Sequence, residues 1–535
     1  MARSKAKVYT CCALMLLCLV AVIVCVAVLA RHKCPDDTFS RAAVAADSRR
    51  CSEIGRDILQ RGGSAVDGAI AALLCTSIMN PQSMGLGGGA IFTVMDSSGK
   101  VKVINSRETA PTKVKPDLLK SCPHAFKMVT GTQWAGVPGE LRGYEMAHKL
   151  YGKLPWATLF QPTIQLAREG FPIPPIQGRY ISYSDTNETQ ALRLFSDEKG
   201  NLLKTGDVVK FEKLADTLEV IANEGADAFY SGRIAEDLIR DIQEAGGTIT
   251  LQDLESYSVT VTDAWAFPLG DFILNIMKEF YLNSESLSDD QKTLFYHRYI
   301  EAFKFANGLK KHVRDPQFSS EKMAKQFTQD GFASRIRSLI SSNTTHDPQY
   351  YNITPHLDSM GTTHVSVLAE DGSAVSVTST INHIFGSRIL SPRTGVILNN
   401  ELYDFCWKVE NIFPGEQPPS SMAPAVLKSQ SKLLVIGSTG GGMITTGMAS
   451  AIMNHLWFGK SLKEAISAPV VYVDPQNAVK FEPSFDKDII EALIALGHNH
   501  QAAKKFYNVV NAVEKQDGCI RAWSDARKMG EPAGY

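Results

Sequence analysis

The chain has 535 residues, 44% of them apolar, so it can bury a large core as two or three domains or as one layered unit. Its 55 lysines and arginines nearly balance its 56 aspartates and glutamates, which excludes the basic surface that nucleic acid or an acidic membrane requires. The same composition excludes a disordered or fibrous protein. A partner must therefore be recognised at a local site.

The first predicted element is a membrane anchor. Residues 8–30 carry no charged side chain, and a stretch of this length can span a bilayer core of about 30 Å. A cleaved signal peptide is the alternative, but its apolar core is usually shorter, about 7 to 15 residues. Basic residues precede the stretch and favour a cytoplasmic tail at residues 1–7. The remaining chain is then expected outside the cytosol.

Two further features agree with export. Triplets of the glycosylation type begin at Asn187, Asn343 and Asn352. Six cysteines lie beyond the anchor, in what would be an oxidising compartment: Cys34, Cys51, Cys75, Cys122, Cys406 and Cys519. None of them forms a C-x-x-C pair, which argues against a zinc site. We expect no bound metal.

The first part of the exported region combines helices with one hairpin. Residues 52–60 and 64–78 are predicted helices, the second apolar on nearly all sides and therefore buried. Segments 90–94 and 101–106 predict a hairpin that ends at Arg107. Between these elements, NPQSMGLGGG lacks the spacing of a dinucleotide-binding loop and is interpreted as a place where backbone approaches backbone. Helical patterns then dominate residues 134–331.

A second glycine-rich segment, STGGG, follows a predicted strand at 433–437 and precedes a predicted helix at 443–456. This order directs backbone N–H groups at one point and is typical of an anion or oxyanion site. A phosphate loop is the alternative, but Met443 stands where that motif needs a lysine. A last hairpin is predicted from 506–513 and 519–523.

Hydroxyl groups gather at the open end of a predicted hairpin, GTTHVSVLAEDGSAVSVTSTIN, at residues 361–382. A three-residue loop would place Thr362 opposite Thr380, whereas a two-residue turn would pair Thr362 with Ile381 and leave Thr380 diagonal. Strand propensity alone could explain these threonines. Cleavage of the Gly361–Thr362 bond, however, would leave Thr362 with a hydroxyl nucleophile and an α-amino group of pKa about 7.7, suited to act as its base.

This hairpin belongs to a larger set of motifs: NPQSMGLGGG, INSRETAP, GVPGELRG, NNELYDF, PPSSMAP, STGGG and GEPAGY. Together they resemble the γ-glutamyltransferase family, also called glutathione hydrolases, over residues 39–535. The resemblance implies an α+β fold, the four-layer αββα sandwich of the N-terminal nucleophile hydrolases. It also implies a single-pass type II enzyme of the plasma membrane. Its ectodomain would be cut into a large-subunit region (31–361) and a small-subunit region (362–535) that stay together as a heterodimer.

The resemblance further implies a chemistry and its residues. Thr362 would be the nucleophile and Thr380 would hold its hydroxyl, while the N–H groups of Gly440 and Gly441 would meet the oxyanion. These glycines could instead only close a turn. The substrates would be γ-glutamyl amides such as glutathione, its conjugates and leukotriene C4, with water, amino acids or dipeptides as acceptors. No cofactor is implied.

The free glutamate end of such a substrate needs two kinds of partner. By resemblance, its carboxylate would contact Arg107, Ser420 and Ser421. Its ammonium would contact Asn382, Glu401 and Asp404. From the sequence alone, Arg107 could be a surface ion pair and the two acids a solvated turn. The family also implies a disulfide between Cys51 and Cys75, where two buried thiols are the alternative.

One difference from the family lies after Gly270. About fifteen to twenty residues, including a strand, are absent between Asp271 and Phe272, more than a usual loop shortening. If that strand lay beside the nucleophile hairpin, its loss would expose an edge and weaken the support of Thr362. The alternative function is therefore an uncleaved, inactive membrane glycoprotein with a binding or decoy role.

Overall fold

The computed structural model describes most of the chain beyond the predicted anchor. The described residues are 34–35, 37–123, 128–184, 189–264, 272–312, 314–318, 331–353, 361–406, 408, 411–502 and 508–535, with Met15, Leu19 and Val20 before them. The rest of the predicted anchor, the sequon residue Asn187 and the join after Gly270 lie outside this set. No helix among the described residues is both long and apolar enough to cross a membrane.

The described chain contains both helices and strands, in mixed order. The α-helices are α1 (Arg49–Gln60), α2 (Ala65–Met79), α3 (Glu140–Tyr151), α4 (Trp156–Glu169), α5 (Pro175–Tyr183), α6 (Glu212–Glu224), α7 (Asp227–Tyr230), α8 (Arg233–Glu244), α9 (Leu251–Glu255), α10 (Phe272–Lys278), α11 (Asp289–Leu309), α12 (Phe332–Leu339), α13 (Met443–Ile452), α14 (Leu462–Ser467) and α15 (Lys487–Ala495). The strands are β1 (Ala43–Ala45), β2 (Gly89–Met95), β3 (Val101–Ser106), β4 (Phe171–Pro172), β5 (Val208–Val209), β6 (Thr260–Asp263), β7 (Thr363–Leu368), β8 (Ala374–Thr380), β9 (Ala425–Lys428), β10 (Lys432–Thr439), β11 (Val471–Val473), β12 (Val479–Phe481), β13 (Val509–Gln516), β14 (Cys519–Trp523) and β15 (Ala533–Gly534).

The predicted local elements are confirmed where they are described. Helix α2 begins at a capping box, in which Ser64 Oγ accepts from the Asp67 N–H at 3.0 Å. All residues of α2 are buried, as the apolar pattern predicts. The hairpin before Arg107 is formed by β2 and β3, paired from Ala90 opposite Ser106 to Met95 opposite Val101.

A seven-stranded antiparallel sheet has the order β15-β1-β7-β8-β2-β3-β6, with the threonine hairpin β7–β8 near its centre. Thr363 pairs with Ser379, and Leu368 pairs with Ala374. The connection is therefore the three-residue loop, whose last residue, Gly372, has φ +83°. This register, one of the two that the sequence allows, places Thr362 opposite Thr380.

The second sheet has the order β14-β13-β10-β9 and packs face to face on the first. Between the sheets, Leu368 and Ala374 share an apolar cluster with Val435 and Val513. Ser376 Oγ also crosses the gap and donates to the carbonyl of Ile436 at 2.8 Å. The odd and even residues of each strand point to opposite faces, so the even-numbered residues of β7 and β8 face the second sheet.

Helices cover the outer face of each sheet. Helices α1 and α2 pack with the outward residues Val365 and Val377 of the first sheet. Helices α10, α11 and α13 pack with Leu434 and Ile436 of the second. The described chain therefore has the four-layer αββα arrangement that the family resemblance implies.

The first sheet shows no exposed edge beside the β7–β8 hairpin, which was the effect expected from the absent segment after Gly270. Strand β7 has β1 and β8 as neighbours, and β8 has β7 and β2. A further strand could not lie beside the hairpin in this sheet, so the expectation that its loss exposes the hairpin is wrong. Strand β6, which precedes the join, lies at the sheet edge, separated from β8 by β2 and β3.

A buried carboxyl group joins the hairpin to the helical layer. Glu140 on α3 accepts hydrogen bonds from Tyr144 Oη at 2.6 Å and from Ser379 Oγ at 2.8 Å, both at Oε1. Its Oε2 is buried and has no partner among the described residues. Burial raises the pKa of Glu140 to about 8, and the two hydrogen bonds oppose this shift without cancelling it.

We predict that Glu140→Gln stabilises the fold at pH 8. Since the folded-state pKa is about 8 against an ordinary value of 4.5, the folded protein binds more protons than the unfolded chain between these values. Stability is then lost as pH rises through that window. Glutamine removes the charge and keeps the accepting oxygen, so the gain should be at least about 1 kcal/mol at pH 8 and near zero below pH 4.5.

Thermal unfolding at pH 4.5 and pH 8 measures this difference. Glu145→Gln is the matched control, because Glu145 lies on the same helix with its side chain 41% exposed. Its midpoint should follow the wild type at both pH values. A Glu140→Gln midpoint with the same pH dependence as wild type would contradict the prediction.

Candidate active site

Two threonine hydroxyls meet at the open end of the β7–β8 hairpin. Thr362 Oγ1 lies 3.2 Å from Thr380 Oγ1, and both side chains are buried. Thr380 Oγ1 also accepts the backbone N–H of Asn382 at 2.8 Å. Because that bond occupies one lone pair, the Thr380 hydroxyl can donate to Thr362 and fix the direction of its oxygen lone pairs.

The backbone at Thr362 is held in an unfavourable conformation. Its φ is +81°, which a β-branched residue rarely adopts and which costs about 1–3 kcal/mol. The Thr362 N–H donates to the carbonyl of Ser83 at 3.1 Å. The residue before it must be small, since a Cβ at Gly361 would lie 2.2 Å from the carbonyl oxygen of Asn382. The Gly361–Thr362 peptide is therefore both strained and tightly enclosed.

A buried ion pair fixes the other side of Thr362. Lys528 Nζ donates to the Thr362 carbonyl at 2.5 Å and to Asp47 Oδ2 at 2.8 Å. Asp47 also accepts from Thr363 Oγ1 at 2.6 Å and from Asn511 Nδ2 at 2.7 Å. Each polar group named here has a hydrogen-bond partner, and together these bonds fix the start of strand β7 at Thr363.

Sequence reasoning missed these supporting residues. Lys528 lies two residues before the GEPAGY motif, which was the only available signal. Ser83 lies in NPQSMGLGGG, the segment interpreted as a place where backbone approaches backbone. No local pattern marks Asp47, because its role arises only when distant segments meet.

The glycine-rich loop STGGG lies between a strand and a helix, as predicted from the sequence. Strand β10 ends at Thr439, Gly440 and Gly441 have φ of +108° and +60°, and helix α13 begins at Met443. The φ of Gly440 requires glycine, and that of Gly441 favours it. Within the described chain, the N–H groups of Gly440 and Gly441 have no hydrogen-bond partner. They are donors left available for an oxyanion, although the oxyanion role itself stays a prediction.

Arg107 is buried, not a surface ion pair, with 3% of its side chain exposed. Its guanidinium lies 2.5 Å from Glu401 Oε1 and 2.8 Å from Asp404 Oδ2. It also donates to the carbonyls of Pro418 at 2.8 Å and Pro419 at 2.6 Å. The solvated-turn interpretation of Glu401 is therefore wrong, since that side chain is 1% exposed.

Burial sets the electrostatics of this cluster. It opposes the charge of Arg107, but Glu401 and then Asp404 outweigh it, so the pKa of Arg107 is raised. Burial raises the pKa of Glu401 to about 8, although Arg107 acts in the opposite direction. The neighbouring Glu108, which the sequence did not single out, has both carboxyl oxygens buried without a partner among the described residues. Its pKa lies well above the ordinary value because of burial and then Glu401.

Asn382 connects the hydroxyl pair to the charged cluster. Its backbone contacts Thr380, and its side-chain amide donates to Asp404 Oδ1 at 3.0 Å. A continuous chain of contacts thus runs from Thr362 through Thr380, Asn382 and Asp404 to Arg107. The two remaining predicted groups, Ser420 and Ser421, directly follow the proline carbonyls that Arg107 contacts. The structure brings these predicted binding residues together, while their roles stay predictions.

The disulfide predicted between Cys51 and Cys75 is confirmed, and it joins α1 to α2. Two further disulfides were not predicted, Cys34–Cys519 and Cys122–Cys406. Asn343 and Asn352 are exposed, as glycosylation requires, but attachment of glycans there stays a prediction.

One described group has the composition of a metal site. His297, Glu301 and His498 offer ligand atoms within 4.8 Å of one another. However, Lys304 Nζ lies 3.2 Å from Glu301 Oε1 and 3.0 Å from His498 Nδ1, and the two histidines contact each other at 2.8 Å. The ammonium already supplies the positive charge at this place, so a metal ion would meet repulsion.

A solved structure has the same fold. The chain is similar to a cephalosporin acylase from Bacillus halodurans, with a TM-score of 0.81 over 93% of this chain and 96% of that one. At 24% identity this similarity concerns the α+β fold alone.

Sequence similarity identifies the family. Residues 51–535 match the Gamma-glutamyltranspeptidase family. The chain is 43% identical to glutathione hydrolase 5 proenzyme of Rattus norvegicus and 42% identical to that of Homo sapiens, each over 96% of this chain and 96% of the relative. The chain belongs to the gamma-glutamyltranspeptidase family. The rat alignment extends over 552 positions, more than the 535 residues here, so some residues of the rat protein have no counterpart in this chain.

We predict that Lys528→Met destabilises the protein by about 3 kcal/mol, because it leaves Asp47 buried without its charged partner. Urea unfolding measures the loss.

The double variant Asp47→Asn/Lys528→Met should recover part of the lost stability, since no unpaired charge remains. Lys120→Met is the control, because Lys120 forms an ion pair with its side chain 81% exposed and should change stability by less than about 1 kcal/mol. Equal losses for Lys528→Met and Lys120→Met would contradict the buried-pair interpretation.

Proposed function

We propose that this chain is a γ-glutamyl hydrolase and transferase that acts through Thr362 after cutting itself at the Gly361–Thr362 bond. The observation that carries the proposal is the continuous set of contacts from the Thr362–Thr380 hydroxyl pair to Arg107. These contacts join a nucleophile to a cluster that contains both positive and negative groups. The free glutamate end of a substrate requires both, because it carries an α-carboxylate and an α-ammonium. Membership of the family supports the same chemistry.

Self-cleavage would use the strained peptide. The Thr362 hydroxyl oxygen attacks the Gly361 carbonyl carbon, and the C–N bond breaks as the Thr362 nitrogen takes up the hydroxyl proton. Water then hydrolyses the resulting ester and releases Thr362 with a free α-amino group. The positive φ of Thr362 supports this route, since strain in the peptide raises its energy before attack.

Turnover would repeat this chemistry on a substrate. The Thr362 α-amino group takes the hydroxyl proton as the oxygen attacks the γ-glutamyl carbonyl, and the proton then passes to the leaving amine. The N–H groups of Gly440 and Gly441 would stabilise the tetrahedral oxyanion. Water, an amino acid or a dipeptide then takes the acyl group from Thr362.

The charged cluster would orient the glutamate end. A guanidinium has five N–H donors, and the contacts of Arg107 with described residues use four of them. The remaining donor on Nη1, together with Ser420 and Ser421, would bind the α-carboxylate. Asn382, Glu401 and Asp404 would bind the α-ammonium.

Substrate range and location extend the proposal. Relatives named glutathione hydrolase 5 proenzyme support glutathione as a substrate and a precursor that is processed. We include glutathione conjugates and leukotriene C4, and we propose a plasma-membrane enzyme anchored in the lipid bilayer by residues 8–30. Outside the membrane, the large-subunit region would be residues 31–361 and the small-subunit region residues 362–535. Neither of these two relatives favours the inactive decoy.

Thr362→Ala tests the proposal. The variant should remain a single chain on a reducing denaturing gel and lose at least about a thousandfold in release of a γ-glutamyl anilide reporter, because it lacks the attacking hydroxyl in both steps. Wild type should give two chains. Thr362→Ser is the control, since it keeps a hydroxyl and should still be cut. Activity retained by Thr362→Ala would exclude the nucleophile assignment, and a single wild-type chain would favour the decoy.

Arg107→Lys tests substrate binding. A point charge replaces the planar fork, so we expect the KM for the donor to rise at least about tenfold while kcat changes by less than about threefold. Steady-state kinetics with the same reporter separates the two constants. Arg50→Lys, at an exposed ion pair with Glu53, should leave both constants unchanged. An unaltered KM in Arg107→Lys would mean that this guanidinium does not contact the substrate.

A further inference from the structure

The three disulfides among the described residues have different positions relative to the Gly361–Thr362 bond. Cys51–Cys75 lies entirely before it, with a sequence separation of 24. Cys34–Cys519 and Cys122–Cys406 each join a residue before the bond to a residue after it, with separations of 485 and 284. If the bond is cut, two of the three disulfides become links between separate chains.

The Cys122–Cys406 disulfide lies beside the charged cluster. Cys406 directly follows the short helical turn Glu401–Phe405, which carries Glu401 and Asp404. Leu402, Phe405 and Cys406 pack in a small apolar cluster with Leu118 and Trp134, and Cys122 lies at its margin. This cluster is separate from the cores around the two sheets. The disulfide therefore fastens the segment that bears two candidate ammonium ligands to the preceding part of the chain.

The Cys34–Cys519 disulfide fastens the start of the described region to the second sheet. Cys519 begins β14, and the next residue, Ile520, exchanges two backbone hydrogen bonds with Phe39 at 2.7 and 2.9 Å. Cys34 follows the predicted anchor by only a few residues. The bond therefore connects the segment next to that anchor with the part of the chain that follows the cut.

We propose that the mature enzyme is a covalent heterodimer, held by Cys34–Cys519 and Cys122–Cys406, and that the second bond also positions Glu401 and Asp404 for donor binding. Each bond forms by exchange with a disulfide donor, which is reduced to two thiols as each cysteine pair loses two electrons and two protons. This inference depends on the proposed self-cleavage. It adds that the chain bearing the nucleophile stays bonded to the anchored chain.

A pair of denaturing gels tests the linkage. The full-length protein is treated with a thiol-alkylating reagent and then run with and without reductant. We expect one band near the mass of the intact chain without reductant and two bands with it. Replacing all four cysteines by serine, Cys34, Cys122, Cys406 and Cys519, should give two bands in both lanes. Cys51→Ser/Cys75→Ser is the matched control and should behave as wild type.

The outcomes separate the two proposals. Two wild-type bands in both lanes would overturn the covalent heterodimer and leave the proposed function intact. One band in both lanes would mean that the chain is not cut, which overturns the proposed function and the heterodimer with it. Mass spectrometry of unreduced peptides from the wild type identifies each cysteine pair independently of any variant, and peptides joining other pairs would also overturn the proposal.

Kinetics tests the positioning role. In Cys122→Ser/Cys406→Ser, we expect the KM for a γ-glutamyl anilide to rise about tenfold with kcat within about twofold, since the nucleophile is untouched. The anilide contains no thiol and cannot reduce the remaining disulfides. Cys34→Ser/Cys519→Ser should keep both constants, because that bond lies away from the charged cluster. An unchanged KM in Cys122→Ser/Cys406→Ser would overturn the positioning role. An equal rise of KM in both double variants would also overturn it, because it would indicate a general loss of rigidity.

Discussion

The pairing of β7 with β8 is the constraint on which the site depends. Thr363 opposite Ser379 puts Thr362 opposite Thr380, and their hydroxyls lie 3.2 Å apart. A shift by one residue would turn every side chain of the strand to the other face of the sheet. Neighbouring strands on both sides and the packed second sheet prevent such a shift. The nucleophile therefore has its position because the whole first sheet has its register.

Buried charged residues fix the positions of further groups around the site. Lys528 holds the carbonyl of Thr362 and Asp47 holds the side chain of Thr363, while Arg107, Glu401 and Asp404 form the charged end of the site. Ion pairs of this kind contribute little net stability, because removing the charges from water costs about as much as their attraction returns. Their value here is in fixed geometry, since a group that is already desolvated and oriented needs no rearrangement when a substrate binds.

The site is built from both sides of the Gly361–Thr362 bond. Arg107 and Asp47 precede it, whereas Thr380, Asp404 and Lys528 follow it. A cut at this bond would therefore divide the chain without dividing the site, provided that the two parts remain packed. The interlayer contacts provide one reason for them to remain together. Disulfides that cross the same boundary provide a second, which persists when noncovalent contacts weaken.

The sequence by itself determined the elements whose signals are local. The capping box and apolar pattern of α2, the β2–β3 hairpin and the strand, glycine loop and helix order around Gly440 all follow from residues a few positions apart. Motif resemblance added the identities of the predicted site residues. The sequence left two registers for the Thr362 hairpin, and the packed sheet has the one in which Leu368 pairs with Ala374. Only the tertiary structure decided the partners Asp47, Ser83 and Lys528 and the disulfides that cross the cut. Asp47, Ser83 and Lys528 each lie at least 166 residues from Thr362 along the chain. No local spacing relates them to it, and they meet it only because layer packing brings their segments to one place.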